Sequence, residues 1–321
     1  MLEPLVTVAV PTLGGSAPLE ECLDALERQT LAGADVVVID NSGAQRVALR
    51  AGIRIIRNDR NVGYGAAANQ AWLSSNSPYC AVINDDAMAA PGWLAALVAA
   101  LEAHPRAGMA ASQVRLADTG LLDSAGMVIA RDGSSKQRAH REVESPAAGE
   151  VLIPSGSAAM FRREVIDQTG GFDPDFFLYC EDTDLGLRAQ QLGWRCIYVP
   201  EAAVEHRYSA TAGAASPLKA YLVERNRLRL VVRNFPYSWL WRVPFYSAAR
   251  YWHHFQGMRR GEGKAAAFAA SGQPAWKLAW YVVKAHLALL AELRRLLRER
   301  SPVPAALLER WSIPVKEVAA R

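Results

Sequence analysis

An α/β fold, a mainly parallel sheet with helices on both faces, is predicted by three features of this chain. Strand and helix signals alternate from residue 6 to about residue 102. Polar residues recur where those strands end, the position at which parallel sheets bind ligands. From about residue 217 the composition turns helical, basic and rich in tryptophan.

Each element has its own signal. Val6-Thr-Val-Ala-Val10 is β-rich and is expected to stop at Pro11. Leu19, Cys22, Leu23 and Leu26 share one helical face. Val36 to Ile39 reads as a buried strand ending at Asp40-Asn41-Ser42-Gly43, and Ile53 to Ile56 as another ending at Asn58. Ala66 to Leu73 reads as helix, Tyr79 to Ile83 as strand and Trp93 to Glu102 as helix. Residues 112–155 are irregular, punctuated by Gly126, Gly133 and Gly149, and predict a loop or hairpin region. Val151 to Phe161 returns to strand character, and Trp194 to Val199 is a strand running to Pro200. A last helix is expected from about Trp276 to Arg300.

The bulk numbers bound the answer. A 321-residue chain can bury a full core, as one large domain with an extension or as two domains. Its 51% hydrophobic and 21% charged content excludes a disordered chain. The four cysteines are far apart without paired metal spacing, which reads as reduced thiols and fits a cytoplasmic compartment. The N-terminus runs straight into a strand, so no signal peptide is expected. No uncharged apolar run approaches the roughly 18 residues of a spanning helix; Ala87 to Leu101 is interrupted by Pro91-Gly92.

Charge is unevenly placed. Residues 1–218 hold 17 Lys and Arg against 26 Asp and Glu, whereas 219–321 hold 19 against 6. A body of 1–218 and a helical, basic, aromatic-rich extension of 219–321 follow, the extension facing something anionic. Tyr221 to Val232 is amphipathic with an arginine face, and Trp and Tyr interleave with Arg beyond it. A membrane-surface segment needs that pattern, and a helical bundle with arginines on its solvated side shares it. No nucleic-acid reading motif is present, so no nucleic-acid partner is expected.

Two acidic clusters carry the chemistry. Glu181, Asp182 and Asp184 follow the aromatics Phe176, Phe177 and Tyr179 and open a helix at Leu185 and Leu187. Acids beside aromatics are expensive to bury unless they handle a proton, a cation or a partner, although such a cluster also serves as a helix cap. Asp85-Asp86 follows the strand ending at Ile83. Two acidic clusters about a hundred residues apart read as one site assembled from distant loops.

The chain resembles the family 2 glycosyltransferases of the GT-A fold, the bacterial branch that includes rhamnosyltransferases. The resemblance spans residues 6 to about 235. It rests on Val8-Ala-Val-Pro-Thr12, Val38-Ile-Asp-Asn-Ser42, Arg60 to Asn69, Val82-Ile-Asn-Asp-Asp86, Gly156 to Phe161, Gly170-Gly-Phe-Asp173, Glu181-Asp-Thr-Asp184 and His206, in the family's order. It implies a nucleotide-sugar slot at Pro11, Thr12 and Asp40, where Asp40 can accept a base N–H or simply hold its turn. Arg60, Asn61, Gly63, Asn69 and Asp85 would complete the nucleotide site. The metal motif is Asn84-Asp85-Asp86, with Asp86 the main ligand and His206 either reaching the metal or serving structure. Mg²⁺ or Mn²⁺ suits such oxygen donors. Asp182 matches the family's general base, with Glu181 and Asp184 setting its environment or contacting the acceptor. Trp194 and the aromatics at 176–179 could stack on sugar rings or pack the core.

The activity implied is inverting transfer of a sugar, best matched by L-rhamnose from dTDP-rhamnose with UDP-sugars left open, to a glycan or polyprenyl-diphosphate-linked acceptor. That implies cell-surface polysaccharide synthesis and a cytoplasmic enzyme peripheral at the inner face of the membrane, with an oligomer left open. A non-catalytic nucleotide-sugar-binding scaffold is the alternative. A sugar nucleotidyltransferase is disfavoured because Leu13-Gly-Gly-Ser16 has no nearby Lys or Arg.

Overall fold

The computed structural model describes residues 3–207, 216–270 and 272–320. In chain order the first elements are β1 (Val6–Thr12), α1 (Ala17–Glu27), β2 (Asp35–Asp40), β3 (Ile53–Arg57), α2 (Tyr64–Leu73), β4 (Tyr79–Ile83), β5 (Ala87–Ala89) and α3 (Trp93–Ala103). Next come β6 (Ala107–Leu116), β7 (Leu122–Ser124), β8 (Met127–Ala130), β9 (Ser135–Gln137), β10 (Gly149–Val151), β11 (Ala158–Arg162), α4 (Arg163–Thr169), α5 (Glu181–Gln191) and β12 (Arg195–His206). The last are α6 (Pro217–Asn234), α7 (Tyr237–Leu240), α8 (Val243–Arg260), α9 (Gly263–Ala270), α10 (Trp276–Arg298), α11 (Ala305–Trp311), β13 (Ser312–Ile313) and α12 (Val315–Ala320). The chain divides into two compact units, Met1–Met127 with Gln137–Tyr208 and Val128–Lys136 with Ser209–Arg321.

The first unit is built on a sheet of order β10-β12-β6-β11-β4-β1-β2-β3, with β5 on β12 and β7 on β6. The stretch β4-β1-β2-β3 is wholly parallel, as the alternation predicts. β11 enters antiparallel between β4 and β6, and β12 then runs parallel to β6. Successive side chains of a strand point to opposite faces, so β1 feeds two cores. Val6, Val8 and Val10 meet Leu19, Leu23, Trp93 and Leu97 on one side. Ala9, with Val37 and Ile39 of β2, meets Trp72, Phe161 and Phe172 on the other. Trp72 stacks on Phe172 at 5.2 Å between ring centroids and donates its indole N–H to the Ala81 carbonyl at 2.9 Å.

Two prolines do not end strands as the sequence predicts. β1 continues through Pro11 to Thr12, paired to β2. Its ladder with β4 stops at Ala9, so the absent N–H falls where one edge is already unpaired. β12 runs past Pro200 to His206, and the ladder to β6 slips between Val199 and Ala203 so that Pro200 faces no partner. The irregular middle is a series of short strands, β7 to β10, rather than a loop. Its glycines Gly126 and Gly133 both take positive φ.

The second unit is helical, with a small sheet of order β13-β8-β9. α6 starts where the Ser216 hydroxyl caps the Lys219 N–H at 3.2 Å and Pro217 supplies a preset φ. The arginine face of α6 is largely internal rather than solvated, with Arg227 and Arg229 buried, and Arg250 of α8 is buried as well. Arg250 donates to Asp132 Oδ2 at 2.5 Å and to Glu224 Oε2 at 2.7 Å, Tyr251 donates to Glu224 Oε1 at 2.5 Å, and Arg227 pairs with Glu224. Burial alone would push the Glu224 carboxyl up, but Arg227 and Arg250 outweigh it and hold the pKa far below the usual carboxylate range. Two carboxylates and two guanidiniums thus neutralise one another without solvent. Removing one member leaves a buried charge unmatched, so Glu224→Gln should destabilise this unit by about 3–5 kcal/mol, read as a lower denaturant midpoint.

Candidate active site

The strand ends place the first acidic cluster. The chain turns after β4, with the Asn84 N–H donating to the Ser157 carbonyl at 2.9 Å and the Ala87 N–H returning to Asn84. Asp85 Oδ2 accepts from the Thr12 hydroxyl at 2.6 Å, tying the ends of β4 and β1 together. Asp86 Oδ1 lies 3.1 Å from His206 Nε2 at the end of β12. His206 Nδ1 lies 2.8 Å from Asp123 Oδ2 on β7, and Asn84 Nδ2 lies 3.2 Å from His206 Nε2. Burial pushes the Asp85 carboxyl up; the Thr12 hydroxyl relieves part of that rise, and Asp86 adds to it. Burial pulls the His206 imidazolium down, but Asp123 and Asp86 outweigh it and hold the pKa at about 9.

The second cluster sits at the N-terminus of α5, as the sequence predicts, where negative charge is favoured. Asp182 Oδ2 accepts from the Gly156 N–H at 3.0 Å, and Oδ1 from the Thr183 N–H at 2.6 Å. Burial still holds its carboxyl above the ordinary range. Glu181 is more deeply buried, its Oε2 accepts no hydrogen bond, and burial together with Asp182 raises its pKa. The approach to α5 is strained: Phe177, Tyr179 and Cys180 take φ of 63°, 71° and 66°.

Tyr64 joins the two clusters. Its hydroxyl donates to the Gly156 carbonyl at 2.6 Å. Burial, then the charges of Glu181, Asp182, Asp85 and Asp86, push its phenol well up, so it stays a donor. The distant acids are therefore one electrostatic site. Gly63 makes the junction feasible: at φ 94° a Cβ would stand 2.5 Å from the Phe177 carbonyl, the oxygen that accepts the Tyr64 N–H at 2.8 Å.

The remaining sequence candidates divide. Pro11 and Thr12 line the end of β1 and are buried. Asp40 ends β2 with Oδ1 accepting from the Ser42 hydroxyl at 2.5 Å and Oδ2 from the Val47 N–H at 2.9 Å. Burial opposes its ionisation, but those bonds win and lower its pKa. Asn61 Oδ1 accepts from Asn41 Nδ2 and the Gly63 N–H, both at 2.9 Å, while Arg60 stands exposed beside it. Asn69 lies elsewhere. Its amide clamps Phe172, donating to that carbonyl at 2.7 Å and accepting from that N–H at 3.0 Å. Asp184 is fully buried and accepts from Arg188 Nε at 2.7 Å, so it cannot contact an acceptor. Trp194 donates to Gln168 Oε1 at 2.9 Å and packs against the core of the first unit.

Sequence reasoning missed Tyr64, Asp123 and Gly156. Tyr64 was within reach, because it stands inside the Gly63-Tyr64-Gly65 turn. Asp123 carried no signal, being a lone acid in the irregular middle.

Among the described residues no group of three or more His, Cys, Asp or Glu is set to hold a metal ion. Asp86 and His206 nonetheless fit a divalent cation of the kind that takes one or two protein donors and completes its shell from phosphate oxygens. The Asp123 carboxylate behind His206 is the partner that orients a ligating imidazole.

Comparison with known proteins decides the family. The sequence profile described as "Glycosyltransferase like family 2" matches residues 4–229. The chain is a family 2 glycosyltransferase. It is 28% identical over 277 residues to N-acetylglucosaminyl-diphospho-decaprenol L-rhamnosyltransferase of Mycobacterium tuberculosis, covering 76% of this chain and 88% of that one. Its fold is similar to that of GalNAc-T7 with UDP, GalNAc and Mn²⁺ (TM-score 0.57, 14% identity, 94% of this chain and 59% of that one). It is also similar to the mannosyltransferase PcManGT of Pyrobaculum calidifontis in complex with GDP-Man and Mn²⁺ (TM-score 0.51, 20% identity, 99% and 87%). The transferase thus has the GT-A fold that its motifs imply.

The raised Glu181 carboxyl has a consequence for stability. A carboxyl whose pKa rises on folding binds its proton more tightly in the folded state. Its stabilising effect is complete below the ordinary carboxyl value of 4.5 and is lost as pH climbs towards about 8. Glu181→Gln should therefore raise the melting temperature of the ligand-free transferase above that window and leave it unchanged in acid.

Proposed function

We propose that this transferase moves L-rhamnose from dTDP-rhamnose to a polyprenyl-diphosphate-linked glycan, with inversion, in cell-surface polysaccharide synthesis. The observation that carries the transfer chemistry is the joining of the two acidic clusters at Gly156-Ser157, where Gly156 binds the Tyr64 hydroxyl and Asp182 and the Ser157 carbonyl accepts the Asn84 N–H. The rhamnosyl donor and the lipid-linked acceptor are supported by the mycobacterial relative. Residues 1–218 form the catalytic part and 219–321 the extension, in a cytoplasmic protein peripheral at the inner face of the membrane.

The nucleotide lies against the ends of β1 and β2, with Pro11, Thr12 and Asp40 at the base and the Asn61-Gly63 turn beside it. Asp86 and His206 would hold Mg²⁺ or Mn²⁺, which would supply charge neutralisation for the leaving diphosphate. Asp182 accepts the acceptor hydroxyl proton as that oxygen attacks the anomeric carbon and the carbon–oxygen bond to diphosphate breaks. Attack opposite the leaving group inverts the centre. Two hydrogen bonds aim the Asp182 carboxylate, and its raised pKa makes it a better base. Burial is what raises the proton affinity of Asp182, and Glu181, buried beside it, keeps water from that side of the carboxylate.

Nucleoside diphosphate release across dTDP- and UDP-sugars, with Mg²⁺ or Mn²⁺, tests the reading. Release from dTDP-rhamnose is expected, falling about 10²–10⁴-fold in Asp182→Asn. Its rate should decline in acid as the carboxyl protonates. Undiminished turnover by a folded Asp182→Asn protein would remove the base assignment, and release from another donor alone would replace the sugar.

A further inference from the structure

The apolar surface of the second unit is organised. On α10 the exposed residues Trp276, Trp280, Val283, Leu287 and Leu290 recur at alternating spacings of four and three, and Leu297 follows one heptad on. At 3.6 residues per turn they form one stripe along a helix of roughly 35 Å. Trp276 and Leu290 are each 65% exposed. The other side of α10 is already used: it packs on α6, with Ala285 and Leu296 buried and Glu292 bridging Arg229 and Arg295. α8 repeats the pattern with Phe245, Trp252 and Phe255 exposed within one arc, and Trp241 is exposed just before it.

Charge decides what covers the stripe. α10 carries five Lys and Arg against one Glu, and that Glu is engaged by arginines. Lys284, Arg294 and Arg298 are exposed along its length, with Arg294 on the line of the stripe itself. A second copy of α10 would offer these cations no carboxylate, because its one Glu is engaged by Arg229 and Arg295. A lipid surface with anionic headgroups answers both features, taking the apolar stripe below its headgroups and the basic flanks at their level. Indole rings at one end suit that boundary. Among the described residues no helix is long and apolar enough to cross a membrane, so the geometry is that of a helix lying along the surface.

We infer that the exposed face of α10 docks the protein on an anionic lipid bilayer by inserting its apolar stripe. This goes beyond the proposed transfer in naming the face and the force, and it rests on that proposal only for the position of the acceptor. Arg227, Arg229 and Arg250 are spent internally, so the cations that meet the headgroups are those flanking the stripe, Lys284, Arg294 and Arg298.

The test is flotation of the full-length protein with phosphatidylcholine vesicles, with and without phosphatidylglycerol. Wild type should float with the anionic vesicles, more weakly with neutral ones, and partly survive high salt. Leu287→Glu combined with Leu290→Glu should lower the partition about tenfold or more with unchanged melting temperature and nucleoside diphosphate release. Brominated lipids should quench tryptophan emission, with the effect reduced in Trp276→Phe combined with Trp280→Phe. Asp182→Asn should float like wild type, which separates failure of docking from failure of the transfer chemistry. The inference is overturned by absence of flotation, by equal flotation of the double glutamate variant, or by quenching that ignores Trp276 and Trp280. It is also overturned by a dimer that the glutamates dissociate without any vesicle binding.

Discussion

Everything at the candidate site depends on holding four acidic side chains around one half-buried tyrosine, with the His206 imidazole against Asp86 and, among the described residues, no Lys or Arg side chain bonded to any of the four. Each acid meets that constraint differently. Asp85 leans on the Thr12 hydroxyl, Asp86 on His206, and Asp182 on two backbone N–H groups, while one oxygen of Glu181 is left with nothing. Such groups repel one another and would separate if their supports could relax. The supports are strand ends anchored in the two packed faces of the sheet, which cannot relax cheaply. Burial held in this way keeps the proton affinity of Asp85, Glu181 and Asp182 above that of an ordinary carboxyl.

His206 shows how the sheet serves the site. It reaches Asp86 only because β12 continues past Pro200 while its ladder to β6 slips. A strand ended by that proline would have left the imidazole short of both Asp86 and Asp123. The slip is a local irregularity with a distant effect, and it explains why Asp123, from the short strand β7, becomes part of the site at all.

What was legible in the sequence followed from local rules. Alternating apolar runs placed the parallel strands, and acids at the start of an amphipathic run placed the first turn of α5. Tertiary context overrode local rules elsewhere. Pro11 looked like a terminator, but one of its flanks was already unpaired. Asp184 and Asn69 looked like site residues because they sit in the right motifs, yet Arg188 and the Phe172 backbone claim them. The arginines of α6 looked solvated because periodicity reports only that one face differs from another. It cannot tell that Asp132, far back in the chain, and Glu224 would neutralise Arg227 together with Arg250 of α8.

The left-handed residues before α5 have a consequence for how the site tolerates change. Phe177, Tyr179 and Cys180 each hold a backbone conformation that costs a non-glycine residue about 1–3 kcal/mol. Glycine would adopt it readily, so the segment has a ready route to greater stability that its sequence does not take. Taking it would loosen the unfolded chain and delete the two rings and the thiol that precede Glu181. The segment therefore behaves as a latch under tension: its side chains are retained against the preference of its own backbone. Improving the fold there and preserving the chemistry beside it pull in opposite directions.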